Sequence, residues 1–302
     1  MKSETTETTL APSSGRRAFL RNLGIATAST AGLAAFGGAG TAHAGENGLS
    51  DTDIAVLNFA LNLEYLEAEF YLQATTGDGL EAAGIEVGEK AGPVIVRKNP
   101  KVDFDTPAIR NYAEEIAGDE SNHVRFLREV LESNGAKAVP RPRINLRESF
   151  VTLGELIGVD NFNPFANEVN FLVGAFIFED VGVTAYRGAS PVLQSKVVLE
   201  AAAGILGVEA YHAGTVRTLL YSLGSGTRAL ANRISAVRQS LDDSKFDLDQ
   251  GIGGKTRANI VPANGNSVAF GRSTRQVLNI VYGGVDAEDG LFFPQGMNGP
   301  IR

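Results

Sequence analysis

Two short stretches of this sequence place a glutamate three residues before a histidine. DESNHVRFL at 119–127 contains Glu120 and His123, and VEAYHAGTV at 208–216 contains Glu209 and His212. Residues at positions i and i+3 lie on the same face of an α-helix. One side chain of each pair can therefore bridge two metal ions while the other ligates one of them.

Helical periodicity surrounds both pairs and recurs elsewhere in the chain. Apolar stripes at three- and four-residue spacing predict four long helices, at 51–75, 106–134, 164–188 and 191–223. The stripe of the first helix is interrupted by Glu64 and that of the third by Glu179. Each of the four predicted helices thus carries at least one carboxylate on the face that should be buried.

An internal repeat relates the first predicted helix to the third and the second to the fourth. It aligns Glu64 with Glu179 and Glu120 with Glu209. The aligned neighbours are Leu57 with Leu172, Leu61 with Phe176, Tyr71 with Tyr186, Ile116 with Ile205, and Leu127 with Val216. Two helix pairs joined by a long connection predict an all-α four-helix bundle, with a crossover between its second and third helices.

Burial of these carboxylates requires a positive partner, because an isolated buried carboxylate is strongly destabilising. No lysine or arginine lies on the same stripes. We therefore predict a dinuclear metal site, and its mixed carboxylate and imidazole donors suit iron, manganese or zinc. The predicted ligands are Glu64, Glu120, His123, Glu179, Glu209 and His212. The alternative, ordinary histidines on amphipathic helices, leaves the carboxylates uncompensated.

Two further glutamates follow Glu64 on the first predicted helix. Glu67 lies one turn later and Glu69 lies on a neighbouring face. We interpret Glu67 as a residue of a solvated helix face. For Glu67, the alternative is an additional metal ligand.

Four other polar residues lie close to the predicted ligands. Asp119 or Asp180 could hydrogen-bond a ligand histidine and orient its ring. Tyr71 and Tyr186 lie two turns from Glu64 and Glu179 on the same stripes, where we expect them to pack in the core. Hydrogen bonds to the ligands, or a role as radical sites, are the alternatives for the tyrosines.

Composition excludes several classes of function. The chain of 302 residues contains no cysteine, which excludes thiolate metal sites and iron–sulfur clusters. Its net charge of −8 argues against nucleic acid or an anionic membrane surface as a partner. Such a length accommodates one large domain or two small ones.

The N-terminus has the pattern of an export signal. A twin arginine in GRRAFLR at 15–21 precedes a weakly apolar run, which ends in AHA at 42–44. This pattern predicts a twin-arginine signal at 1–44 that is cleaved, and a periplasmic or extracellular protein without membrane contact. A retained anchor is disfavoured because the run is rich in glycine and threonine. The bundle is then assigned to 45–225, and 226–302 to an extension with one or two short helices that packs on it.

The motifs together resemble a known superfamily. LNLEYLEAEFY and FIFEDVGVTAY, with DESNH and VEAYH, resemble the four helices of ferritin-like dimetal carboxylate proteins, over about 51–223. The tail sequences VLNIVYGG and LFFPQGMNGPI are similar to those of plant and bacterial desiccation-related proteins. The resemblance implies a ferritin-like bundle with two iron or manganese ions.

Three functions follow from this resemblance. The first is an oxidoreductase acting on peroxide or dioxygen, in the manner of a manganese catalase or a ferroxidase. The second is a non-catalytic bundle that binds metal or protects against desiccation or oxidative stress. The third is iron storage, which requires a closed shell of subunits and is disfavoured by the extra segments at 76–104 and 226–302. Assembly into a homo-oligomer is left open.

Overall fold

Four long helices form the centre of the protein, whose computed structural model describes residues 48–302. They are α1 (Asp51–Thr76), α2 (Pro107–Ser133), α4 (Glu168–Ala189) and α5 (Lys196–Ser222). The crossover carries α3 (Glu148–Leu156), and α6 (Ser225–Leu241) and α7 (Thr274–Tyr282) follow the bundle. The all-α bundle with its long crossover is therefore confirmed. The predicted signal at 1–44 lies outside the described residues.

The ends of the first helix pair follow from local sequence. Ser50 and Asp53 form a reciprocal capping box at the start of α1. Gly77 ends this helix in the left-handed conformation, with φ of 91°, which glycine adopts without a steric penalty. Pro107 opens α2, where its missing N–H costs no hydrogen bond.

The later helix pair begins a few residues after the predicted starts. Asn167 accepts a hydrogen bond from the Asn170 N–H, so α4 begins at Glu168. Pro191, which we predicted to open the fourth helix, lies in a short 3-10 turn. Ser195 then caps α5. A capping side chain therefore determines where each of these two helices begins. At α5 this residue is Ser195 and not Pro191.

Helix α1 packs along α2, α4 packs along α5, and α1 also contacts α4. Whereas α2 and α5 keep a solvent-exposed face, almost all of α1 and α4 is buried. Among the described residues, Glu168–Val192 is long and apolar enough to span a membrane. Of its 18-residue apolar window, 83% is buried inside the protein, as expected of a core helix.

The crossover covers the outer side of α1. It carries β2 (Ile144–Asn145), which pairs in parallel with β1 (Val94–Ile95) of the connection between α1 and α2, a pairing that the sequence did not predict. Just before β2, the buried Arg141 donates to Glu69, whose exposed fraction is 1%. The crossover therefore encloses Glu69 and supplies its cation.

The C-terminal segment is joined to the bundle by a buried ionic network. α6 contacts α4 and α5, and α7 contacts α4 and α6. The network consists of three aspartates and three arginines, all buried: Asp180, Arg217, Arg238, Asp242, Asp249 and Arg272. Such a network is stable only while every charge has its partner. The domain boundary at 225 stays a prediction.

We expect Arg272→Ala to lower the free energy of unfolding by about 3–5 kcal/mol, because buried aspartates would lose their cation. The guanidinium of Arg272 lies 2.9 Å from Asp242 and 2.9 Å from Asp249, and it also donates to Thr184 of α4. Chemical denaturation measures the change. The exposed Arg257 of the same segment provides a matched control, and equal losses for Arg257→Ala and Arg272→Ala would contradict the expectation.

Candidate metal centre

All six predicted ligands lie together inside the bundle. α1 and α4 contribute Glu64 and Glu179, and the two Glu-x-x-His pairs come from α2 and α5. Each of the six is at most 8% exposed. The four helices therefore bring to one place the side chains that the stripes and the repeat selected, while the assignment of these side chains as ligands stays a prediction.

Glu120 lies at the centre of this cluster, between two groups of donors. Nδ1 of His123 is 3.3 Å from Oε2 of Glu120, 3.1 Å from Oε2 of Glu64 and 3.7 Å from Oε1 of Glu209. Nδ1 of His212 is 2.9 Å from Oε1 of Glu120 and 3.6 Å from Oε2 of Glu179. Each donor group can therefore hold one metal ion, and Glu120 belongs to both.

Both imidazoles direct Nδ1 toward the carboxylates. Nε2 of His212 lies 3.3 Å from Oδ2 of Asp119, which is partly exposed on α2. Asp119 is thus placed to orient His212, one of the two residues considered for this role. The other, Asp180, points away and pairs with Arg217 and Arg238.

Two tyrosines join α1 to α4 through the cluster. The phenol of Tyr71 donates to Oε1 of Glu179, and the phenol of Tyr186 donates to Oε1 of Glu64. Both tyrosines are buried, so they also fill the core. Each bond occupies one carboxylate oxygen, restrains the glutamate, and leaves the second oxygen directed at the histidine of its donor group.

Several buried donor atoms of the cluster have no hydrogen-bond partner. They are Oε1 of Glu120, Oε2 of Glu179, both carboxylate oxygens of Glu209, and Nδ1 of His212. Oε1 of Glu120 and Nδ1 of His212 lie 2.9 Å apart, but their orientation does not make a hydrogen bond. Buried polar atoms are normally satisfied, and an unpaired charged atom is especially costly. The unpaired atoms are all metal donors and lie in the two candidate ligand groups. They fit the coordination of iron or manganese.

The pKa shifts of these side chains show how strongly the buried carboxylates need a cation. Burial raises the pKa of Glu64 to about 7 and that of Glu179 to about 8, although the histidines oppose the shift. Burial acts the same way on Glu120, but His123 and His212 outweigh it and hold its pKa below the usual range. Burial lowers the pKa of His212, but neighbouring carboxylates raise it to about 10. Without metal, protons must balance part of the charge.

Two further residues, Glu67 and Gly182, belong to the centre. Glu67 is only 5% exposed, so the interpretation as a solvated residue is wrong; burial and the charges of Glu120 and Glu64 raise its pKa well above the ordinary value. Gly182 of α4 lies against Glu209, and a Cβ atom at Gly182 would be 2.1 Å from Oε2 of Glu209. The only sequence signal for Gly182 was a glycine inside a helix.

The metal-free protein should lose stability as the pH rises. The ordinary pKa values are 4.5 for glutamate and 6.5 for histidine, but Glu64, Glu179 and His212 titrate near 7, 8 and 10 in the fold. The folded state thus binds more protons than the unfolded state across this range, so its free energy of unfolding falls with pH. Added Mn²⁺ should replace those protons and flatten the dependence.

Chemical denaturation at about pH 6 and about pH 9, with and without Mn²⁺, measures this linkage. The metal-free protein should be less stable at the higher pH, and the metal-loaded protein should show a smaller difference. Equal stability of the metal-free protein at both pH values would contradict the assigned burial effect.

Gly182→Ala should displace Glu209 and weaken metal binding, because the added methyl group overlaps the carboxylate. Gly204→Ala on α5 is the matched control, since nothing lies within 4 Å of its Cβ position. The control should gain about 1 kcal/mol of helix stability and bind metal as the wild type does. Titration with Fe²⁺ or Mn²⁺ measures the difference. Unchanged metal affinity in Gly182→Ala would show that the carboxylate of Glu209 is not held there.

Comparison with known proteins agrees with this geometry. The profile of the ferritin-like domain family matches residues 52–222. Desiccation-related protein PCC13-62 of Craterostigma plantagineum is 32% identical over 257 residues, which cover 78% of this chain and 79% of the relative. Ferritin-like catalase Nec2 of Nesocodon mauritianus is 29% identical over 276 residues, covering 84% and 86%. The chain belongs to the ferritin-like domain family.

Proposed function

We propose that this protein binds two iron or manganese ions in the bundle and uses them in peroxide or dioxygen chemistry. The observation that carries the proposal is the position of Glu120, whose two carboxylate oxygens face different groups of buried donors. A single metal ion would leave one of these groups without a cation. The relative named a ferritin-like catalase supports the redox part of the proposal.

Charge balance favours two divalent ions. Glu64, Glu120, Glu179 and Glu209 would supply four negative charges once their protons are displaced, and two divalent ions supply four positive charges. The two imidazoles then remain neutral, as metal coordination requires. Glu67 is not needed for this balance; in the metal-free protein, burial and the charges of Glu120 and Glu64 raise its pKa well above the ordinary value.

The two ligand groups differ in composition. One ion would be held by Glu64, Glu120, His123 and Glu209, and the other by Glu120, Glu179 and His212. Bound iron or manganese would supply one-electron redox steps. The protein itself excludes bulk water by burying the cluster. The tyrosines hold the terminal carboxylates, and Asp119 holds the ring of His212.

A second function is a metal-binding, stress-protective bundle without turnover. The name of the desiccation-related relative favours it. Export of the folded, metal-loaded chain suits both functions, and we base it on the twin-arginine pattern at 15–21. A protein recovered outside the cytoplasm should then begin at Gly45.

Glu120→Gln tests the centre, with Glu115→Gln as the control on the exposed face of the same helix. Wild type and control should contain about two metal ions per chain. Glu120→Gln should contain less than one, because both donor groups lose the shared carboxylate. Peroxide decay should slow by more than about tenfold in Glu120→Gln only.

The outcomes separate the two functions. Near-zero metal in the wild type, purified from cells supplemented with iron and manganese, would overturn the dinuclear centre. Two metal ions with equal peroxide and dioxygen reactivity in Glu120→Gln and the wild type would favour the non-catalytic bundle.

A further inference from the structure

An apolar cavity, partly open to solvent, lies between the bundle helices, from the metal centre toward the end where α4 turns into α5. Its volume is about 30 Å³, and all four bundle helices contribute to its wall. Five alanines leave this space open, and any larger apolar side chain at those positions would fill it. They are Ala60, Ala185, Ala189, Ala201 and Ala202.

The inner wall of the cavity lies one helical turn from the ligands. Ala60, Leu127 and Ile205 line it, and each is four residues from a predicted ligand on its own helix. Four residues of an α-helix rise about 6 Å. Tyr186 also lines the cavity, and its phenol donates to Glu64. The cavity therefore adjoins the centre through the hydrogen bond between Tyr186 and Glu64.

The apolar side chains of the wall determine which molecules can bind in the cavity. The cavity is lined by aliphatic and aromatic carbon, and its one hydroxyl, on Tyr186, already donates to Glu64. Water and hydrogen peroxide need several hydrogen bonds, which this wall does not provide, whereas apolar cavities accept xenon and other apolar molecules. A volume of about 30 Å³ is far below the roughly 150 Å³ that accommodates benzene. The occupant is therefore a small apolar molecule.

We infer that this cavity binds dioxygen next to the metal centre, separately from the polar side of the site where Asp119 reaches solvent. The inference rests on the proposed function for the identity of the gas, but the cavity and its apolar wall do not depend on it. Peroxide and metal ions have no polar contact to gain in the cavity. Dioxygen, used or released at the centre, is the small apolar molecule that such a reaction involves.

Ala202→Leu should fill the cavity, and Ala203→Leu provides the matched control because Ala203 is exposed on the next position of α5. Crystals of each full chain are pressurised with xenon, which needs no bound metal. Xenon should occupy the cavity in wild type and control and be absent from Ala202→Leu. If Ala202→Leu does not fold, the smaller Ala202→Val serves, with reduced xenon occupancy expected.

Rates of Fe²⁺ oxidation then test whether the cavity supplies dioxygen to the metal centre. The Fe²⁺-loaded proteins are oxidised with dioxygen at several concentrations and, separately, with hydrogen peroxide. Filling the cavity should reduce the second-order rate constant for dioxygen several-fold and leave the peroxide rate unchanged. A damaged metal centre would slow both oxidants, so this split distinguishes the cavity from a general structural effect.

Two results would overturn the inference: no xenon in the wild-type cavity, or equal dioxygen rates in Ala202→Leu and Ala203→Leu. Failure of the proposed function has a different signature. In that case no protein is oxidised by either oxidant, while the xenon experiment still decides whether the cavity binds a small apolar molecule.

Discussion

Burial of four carboxylates at one level of the bundle is the constraint on which the rest of the structure depends. Glu64, Glu120, Glu179 and Glu209 are each at most 1% exposed. Their repulsion and desolvation oppose folding of the empty bundle. Two phenols, two imidazoles and bound protons offset this partly, and a pair of metal ions would offset it more fully. The most buried part of the protein is thus the part least stable without a ligand.

The same constraint explains why α1 and α4, which contribute Glu64 and Glu179 to the centre, are almost entirely enclosed. An exposed side of α1 or α4 would let water reach the carboxylates and weaken their hold on metal. The crossover covers one side of α1, and Tyr65 donates to its Val139 carbonyl. The C-terminal tail covers α1 as well, and Asn62 donates to the carbonyl of Asn298. α6 and α7 cover α4. The segments outside the bundle therefore determine the dielectric environment of the centre.

The C-terminal segment also fixes α4 along its length. Arg238 donates to the Phe176 carbonyl, three residues before Glu179, and to Asp180, one residue after it. Arg272 holds Thr184, one turn from Asp180. Buried ion pairs add little net stability but strongly penalise any arrangement that breaks them. The network thus restricts the rotation of the helix that presents Glu179 and Tyr186 to the centre.

Local sequence determined the helices, their repeat and the six clustered side chains, because helical spacing places residues on one face whatever their surroundings. Only the tertiary structure decided which polar residues are buried. Glu67 is buried among the carboxylates of the other bundle helices, and Glu69 is buried against Arg141 of a crossover that comes from far along the chain. The space that Gly182 leaves for Glu209, and the bonds from Tyr71 and Tyr186, likewise join different helices. Contacts of this kind depend on packing distance and angle, which periodicity within a single helix does not contain.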